Sequence, residues 1–319
     1  ITDFESPTDS NGDNSYQILV TASDSVNEVS RTITIQVVNA LEGRVSYGPM
    51  SGSSVFIDTN DNFALDADES RVSTDADGFF IIEDSPVQCA QDQVCTTDLV
   101  VLGGVNSATD IELGGLVLSG QSLQNQNFNL GPLTTLFTRT SDEALLLQAL
   151  DLDLRAGEIS SINPREAAQQ GSEIGAQLMR KDQQIVTLLQ SLQSLTADNP
   201  ELSTGVVVRT LVSEVVDYAE ANFADQGLTI DLADQEQIHQ ILTATLIELG
   251  LQNSEQVEQP NAVAPSITEA VSESVALINI IFDDDLLDLT TDAATEILKV
   301  AQTDLQLAIN DLSLSLIHI

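Results

Sequence analysis

The sequence predicts a multidomain chain in which β-rich segments come first and a helical bundle follows. Residues 1 to about 131 contain short β-branched runs separated by Gly, Asp and Asn turns, a pattern typical of antiparallel strands. After Gly131 glycine becomes sparse, and apolar residues recur at a spacing near 3.6 residues, as on one face of a helix. A chain of 319 residues is long enough for two or three such domains.

Two strands are predicted in the first segment, residues 1–40. Tyr16 to Asp24 and Ser30 to Val38 alternate apolar and polar residues with a period of two, and a polar turn separates them. With Asp3-Phe-Glu5 ahead of them, the run Tyr-x-x-x-Val-x-Ala-x-Asp and the run Thr-Ile-Thr-Ile-Gln-Val resemble the C-terminal part of a bacterial cadherin-like repeat.

That resemblance implies Ig-like strands, with calcium bound at a repeat junction by Glu5 and Asp24. The acid that usually follows the last strand is missing, because Val38-Asn-Ala-Leu-Glu42 stands in its place. An ordinary hairpin with solvated turn acids is the alternative interpretation.

Residues 58–69 have the ligand spacing of a twelve-residue calcium loop and lie between two predicted strands. Oxygen-bearing side chains occupy loop positions 1, 3, 5, 9 and 12, which are Asp58, Asn60, Asn62, Asp66 and Glu69. Calcium takes six to eight oxygen ligands, and a Glu at the last position can supply two of them. The sixth position, usually Gly, is Phe63. A solvated acidic loop is the alternative.

The segment around this loop, residues 43–131, is similar to a known class of β-domain. Gly43-Arg-Val-Ser-Tyr47 and the run from Pro49 to Asp58 resemble the opening strands of B-type repeats in surface adhesins and of carboxypeptidase-regulatory-like sandwiches. Thr74-Asp-Ala-Asp-Gly-Phe79 matches the hairpin of that class, and its Asp-Gly pair favours a tight turn. The resemblance implies a calcium-binding β-sandwich.

Residues 132–313 are predicted to form the helical bundle. Apolar stripes such as Ile238, Ile241, Leu242 and Leu246 mark faces that bury against one another. The final residues, 314–319, resemble translated sequencing-adapter sequence and are expected to be a non-native tail. The predicted helices cover 142–151, 164–195, 201–225, 233–251, 265–282 and 292–312.

The only two cysteines, Cys89 and Cys95, are separated by five residues between strand-like segments. A small disulfide loop is the favoured interpretation, with free thiols as the alternative, because zinc requires more ligands than this region contains. A disulfide would indicate an oxidising, extracytoplasmic location.

The charge of the chain excludes several classes of partner. Fifty acidic residues against ten basic ones give a formal net charge of −40, which repels nucleic acids and anionic lipid surfaces. The hydrophobic content of 42% is too high for a disordered acidic tail. The apolar runs are also shorter than the ~20 residues that a transmembrane helix needs.

No catalytic motif is recognisable in the sequence. His239 is predicted on a helix surface, and the acids Asp283 to Asp285 are interpreted as a solvated helix boundary. We therefore expect a non-catalytic, calcium-binding module of an extracellular or cell-surface bacterial adhesin, with calcium and surface molecules or a second copy as partners. The alternatives are a helical partner-binding module on a β stalk and an accessory region of a secreted enzyme.

Overall fold

The computed structural model shows a chain of mixed secondary structure, with strands first and helices after them. No helix among the described residues is long and apolar enough to cross a membrane. The described residues are 8–9, 11–24, 26–37, 40–83, 96–108, 110–113, 117–123, 128–197, 199, 201–252, 263–283, 290–291, 294, 296–297, 299–300, 303–304 and 307.

The first two strands form an antiparallel hairpin. β1 (Ser15–Ser23) pairs with β2 (Glu28–Gln36) in a register that places Ile18 opposite Ile33. Since directly opposed residues share a face of a sheet, one side of the hairpin is apolar. Its side chains are about half exposed: Ile18, Val20, Ile33 and Ile35.

The strands that follow form three small sheets. The first has the order β12 (Phe128–Leu130), β3 (Leu41–Val45), β7 (Phe79–Ile82), and β12 is parallel to β3. The second is antiparallel, in the order β11 (Val117–Leu123), β8 (Thr96–Leu102), β5 (Ser54–Ile57), β6 (Arg71–Ser73). The third has the order β10 (Ile111–Glu112), β9 (Val105–Asn106), β4 (Met50–Ser51).

Seven α-helices and a 3-10 turn (Ile159–Ser161) make up the second half of the described chain. Several helices begin at a polar residue whose side chain accepts a backbone N–H of the first turn, among them Asp142, Asn163, Ser172, Ser203 and Asp234. The helices are α1 (Pro132–Phe137), α2 (Glu143–Ala149), α3 (Pro164–Gln169), α4 (Glu173–Thr196), α5 (Thr204–Gln226), α6 (Gln235–Glu248) and α7 (Pro265–Asp283).

The prediction of a single helix over 164–195 is wrong, because the chain breaks between α3 and α4. Gly171 adopts a φ of +84°, a left-handed conformation that ends a helix, and Ser172 then caps the next one. The predicted helix 292–312 lies largely outside the described residues, and the predicted tail 314–319 lies wholly outside them.

Strands and helices pack together through two buried hydrophobic clusters. On β5, Val55 and Ile57 pack with residues of the other strands, whereas Phe56 between them packs with residues of the helices. Val100 of β8 also faces the helices, and Val186 of α4 joins the strand cluster. The continuous apolar runs of β5 and β8 are therefore those of strands buried on both faces.

Asp182 of α4 lies buried at the junction of strands and helices. Its Oδ1 accepts a hydrogen bond of 2.9 Å from the backbone N–H of Leu133, at the start of α1. Only 4% of the residue is exposed, and burial raises the pKa of Asp182 to about 7. At neutral pH the carboxyl group therefore holds a proton much more readily in the folded chain than in the unfolded one.

We expect the substitution Asp182→Asn to stabilise the protein at alkaline pH. The folded-state pKa lies above the unfolded value of ~3.9, so stability is lost as pH rises from about 4 to about 7. Asn keeps the oxygen that accepts from Leu133 without acquiring a charge. The expected gain in the free energy of unfolding is about 2 kcal/mol or more at pH 8, and much less at pH 5.

Urea denaturation at the two pH values measures this difference. The matched control is Asp153→Asn, which removes an acid from an exposed position. An equal gain at pH 5 and pH 8 for Asp182→Asn, or an equal gain for the control, would contradict the proposed role of burial.

Candidate calcium site

The predicted calcium loop connects two paired strands of the four-stranded sheet. β5 and β6 pair from Ser54 opposite Ser73 to Phe56 opposite Arg71, so the ends of the loop are held close together. The backbone N–H of Asp58 donates to the carbonyl of Asp98 at 3.0 Å, which attaches the loop to β8 as well. The loop therefore begins from a fixed position at the edge of a buried strand.

Asp58, the first candidate ligand, organises the turn that follows it. Its side chain is buried, with 5% exposure of the residue. Oδ2 accepts from the N–H of Phe63 at 2.9 Å, and Oδ1 accepts from the N–H groups of Asn60 and Asn62 at 3.3 Å each. The first half of the loop is thus wrapped around this carboxylate.

Glu69, the last candidate ligand, connects the end of the loop to its start. Its Oε1 accepts from the backbone N–H of Thr59 at 2.9 Å, and its Oε2 accepts from the N–H of Asp66 at 3.0 Å. Both carboxylate oxygens therefore point into the loop, the orientation that the twelfth residue of a calcium loop needs.

The remaining candidate ligands meet at one carboxylate oxygen. The side-chain amides of Asn60 and Asn62 both donate to Oδ2 of Asp66, at 2.7 and 2.9 Å. Rotation of either amide by half a turn exchanges its nitrogen and oxygen. The same two side chains can then present oxygen, which a hard cation requires.

The five predicted ligand residues are therefore connected in one hydrogen-bonded loop, and their oxygen chemistry fits calcium. Among the described residues, no group of three or more His, Cys, Asp or Glu side chains is placed to hold a metal. Two of the five candidates are Asn, and backbone N–H groups bind the carboxylates of Asp58 and Glu69. These donors neutralise charges that a bound cation would otherwise balance.

Phe63 takes the backbone conformation that Gly usually provides at this position. Its φ is +55°, in the left-handed region, which costs a residue with a side chain roughly 1–2 kcal/mol. The ring is buried, with 3% exposure, in the core shared by strands and helices. Burial of an aromatic ring contributes about 1.5–3 kcal/mol, enough to offset the strain.

Two arginines from the helical part hold the same loop. Arg139 forms an ion pair with the carboxylate of Asp61, and its guanidinium lies 4.9 Å from the centre of the Phe63 ring. This arginine lowers the pKa of Asp61. Arg209 of α5 donates to the backbone carbonyl of Asp61 at 2.7 Å. Sequence reasoning missed these contacts, since nothing in the spacing of residues 61, 139 and 209 relates them.

The start of α5 packs directly on the loop backbone. A Cβ atom at Gly205 would lie 2.5 Å from the carbonyl oxygen of Phe63, so only glycine fits at this position without a shift of the chain. The backbone at Phe63 is therefore packed against the start of α5, while residues such as Asn60 and Asp61 remain exposed to solvent.

Asp24, the other predicted ligand that the structure describes, does not join this site. Asp24 is exposed in the turn between β1 and β2, where its Oδ1 accepts from the N–H groups of Val26 and Asn27 at 3.0 and 2.6 Å. These bonds lower its pKa and hold the turn. Glu5 lies outside the described residues, as do both residues of the predicted disulfide, Cys89 and Cys95.

The one histidine among the described residues, His239, lies beside a serine of the neighbouring helix α7. Nδ1 of His239 lies 3.5 Å from Oγ of Ser272, and that hydroxyl donates to the carbonyl of Thr268 at 2.6 Å within its own helix.

Asp75 has the role in a turn that the sequence predicts. Its Oδ1 accepts from the N–H groups of Asp77 and Phe79 at 2.9 Å each.

Comparison with protein-family models, with curated proteins and with solved structures found no match to this chain. The geometry of the loop is therefore the basis for any assignment of function.

We expect Phe63→Gly to destabilise the protein less than Phe63→Ala. Both variants lose the buried ring, at a cost of about 3–5 kcal/mol for the alanine variant. Glycine adopts a φ of +55° without strain, whereas alanine does not. The gap of about 1 kcal/mol in the free energy of unfolding is measurable by urea denaturation. A glycine variant less stable than the alanine variant would mean that residue 63 leaves the left-handed region in solution.

Proposed function

We propose that this chain is a calcium-binding, non-catalytic module of a secreted or cell-surface bacterial adhesin-type protein. The observation that supports it is the loop from Asp58 to Glu69, where five oxygen-bearing side chains at calcium spacing are joined by contacts of 2.7–3.3 Å. A hairpin supports the loop on one side, and helices pack against it on the other.

Calcium would bind the carboxylates of Asp58, Asp66 and Glu69 together with the amide oxygens of Asn60 and Asn62. Its positive charge would add to the neutralisation that backbone N–H donors already give the carboxylates of Asp58 and Glu69. An ion that binds only the folded state stabilises it by ~3 kcal/mol when its concentration is a hundred times its dissociation constant. Extracellular modules bind calcium at ~0.1–1 mM, so the site would fill outside the cell.

The contacts of the loop extend this stabilisation beyond the β part. Phe63 inserts into the shared core, and Arg139 and Arg209 connect Asp61 to the helical half. A loop that is held rigid by calcium would therefore fix the start of α5 and the end of α1 at the same time. This is the mechanical property that an extended adhesive protein needs between its binding region and its anchor.

The β1–β2 hairpin supports the cadherin-like part of the proposal. Its exposed apolar face, formed by residues such as Ile18 and Ile33, is what the last two strands of an Ig-like sandwich would show without their covering sheet. The net charge of −40 fits an environment in which salt and divalent cations screen repulsion between neighbouring modules.

Calorimetric titration of calcium into the full chain tests the proposal, beside the double variant Asp58→Asn/Glu69→Gln. These substitutions keep hydrogen-bond acceptors in place while they remove two charges. We expect saturable binding near millimolar with a rise in melting temperature for the wild type, and a loss of both for the double variant.

The matched control is Asp75→Asn/Asp77→Asn, which removes two charges from the neighbouring turn. It should bind calcium like the wild type. Absence of saturable heat from the wild type, or equal binding by the loop variant, would refute the assignment of the site.

A second candidate function is partner binding by the helical part. Leu277, Ile280 and Ile281 form an apolar stripe on α7 and are 59%, 54% and 42% exposed. Residues spaced by three and four positions lie on one face of a helix, the arrangement by which an amphipathic helix packs against another helix.

Sedimentation velocity tests this second function. We expect concentration-dependent association of the wild type, and we expect the double variant Leu277→Glu/Ile281→Glu to abolish it. A monomer at all concentrations would remove the support for a self-association surface.

A further inference from the structure

A polar groove lies away from the candidate calcium loop, between the sheet β12-β3-β7 and the segment 161–170. It consists of two adjoining cavities of about 440 and 430 Å³, which share Arg44, Asn163 and Glu166. Each volume is within the ~300–1,000 Å³ that is typical of small-molecule sites. None of the predicted calcium ligands lines either cavity.

The floor of the groove is a row of side chains across the sheet. The strand register places Phe79 of β7 opposite Arg44 of β3, and Arg44 beside Asn129 of β12. Neighbouring strands are ~4.8 Å apart, so the row spans about 10 Å. That length matches one or two sugar rings or a short peptide, and the three side chains offer an aromatic ring, a cation and an amide.

Two arginines line the groove, Arg44 and Arg165. Neither side chain forms a hydrogen bond or an ion pair with a described residue, although the chain carries 50 acidic residues. Both side chains are partly buried. A guanidinium group presents a planar set of donors that matches a carboxylate. Two guanidinium groups that line one groove without a partner among the described residues therefore favour an anionic ligand.

The rest of the lining favours a ligand that is rich in hydroxyl groups. Amide side chains both donate and accept hydrogen bonds, and Glu166 and Asp77 can accept from hydroxyls. The half-buried ring of Phe79 offers an apolar surface to the C–H face of a sugar. The amide-bearing lining residues are Asn129, Asn163, Gln169 and Gln170.

We propose that this groove binds a uronic acid, a sugar that carries a carboxylate, as a single residue or at the end of a short oligosaccharide. Arg44 and Arg165 bind the carboxylate, and the amides and Glu166 bind the hydroxyls. The two acids of the groove and the net charge of −40 disfavour a long polyanion, which has many carboxylates but only two arginines to meet them.

Titration of the full chain by NMR or calorimetry tests this proposal with defined probes. Glucuronate and digalacturonate are expected to bind saturably in the presence of EDTA, which keeps the result separate from the calcium site. Glucose tests the need for the carboxylate, and triglutamate tests an acidic peptide instead of a sugar. We expect glucose and triglutamate to bind at least ten-fold more weakly than digalacturonate.

The variants Arg44→Gln and Arg165→Gln should each weaken uronate binding about ten-fold or more, because each removes a charge-assisted contact. The matched control, Arg155→Gln, changes an exposed arginine outside the groove and should leave binding unchanged. If Arg44→Gln does not fold, Arg165→Gln alone decides the question, since α3 tolerates glutamine.

Three results would overturn the proposal: no uronate binding by the wild type, equal binding of glucose, or unchanged binding in both groove variants. Tighter binding of triglutamate would reassign the groove to acidic peptides. Failure of the calcium titration with a positive uronate titration would leave this site standing, because the two sets of residues do not overlap.

Discussion

Insertion of the Phe63 ring into the hydrophobic core is the interaction on which the arrangement of the loop depends. It fixes the middle of a polar, acidic segment whose two halves are organised by the carboxylates of Asp58 and Glu69. The backbone of Phe63 is in the left-handed region, with a φ of +55°. The guanidinium of Arg139 lies over the Phe63 ring and also pairs with the carboxylate of Asp61. Burial of one aromatic side chain thereby orients the carboxylates of Asp58 and Glu69 on either side of it. A glycine at this position would allow the turn but would remove the ring that packs into the core, leaving Arg139 and Arg209 as the side-chain contacts described between loop and helices.

The strands and helices have a common interior, and this gives the loop an influence on both. β5 contributes alternate residues to two buried clusters, one among the strands and one among the helices. Tyr47 adds a polar link, since its hydroxyl donates to Oε1 of Gln183 at 2.9 Å. A change of stability at the loop therefore propagates through tightly packed side chains, which deform little, to α4 and α5. Calcium at this loop would act as a clamp on the junction.

Basic residues are scarce in the chain, and several of them occur where the structure has a specific use for a cation. Arg139 and Arg209 hold the acidic loop, and Arg44 and Arg165 line the groove. Against a net charge of −40, each such position creates a local field that differs from the rest of the surface. The distribution of the few positive charges is thus more informative about function than the many negative ones.

The order of strands before helices and the ligand spacing of the candidate calcium loop follow from the sequence alone. These features depend on neighbours along the chain: alternation in β1 and β2, stripes in α6, and the alternate oxygens from Asp58 to Glu69. Local signals also predict the turn at Asp75, whereas the apolar spacing of residues 164–195 does not predict the break at Gly171.

Which residues far apart in the sequence come into contact depends on tertiary packing. Asp61 and Arg139 are 78 residues apart, and the floor of the groove joins residues 44, 79 and 129. Asp182 is a charged residue within the predicted helix 164–195, and packing against α1 buries it and raises its pKa. Periodicity predicts which face of a helix or strand is apolar. Contacts between elements depend on how those faces pack against one another. The pattern of neighbouring residues along the chain does not specify that packing.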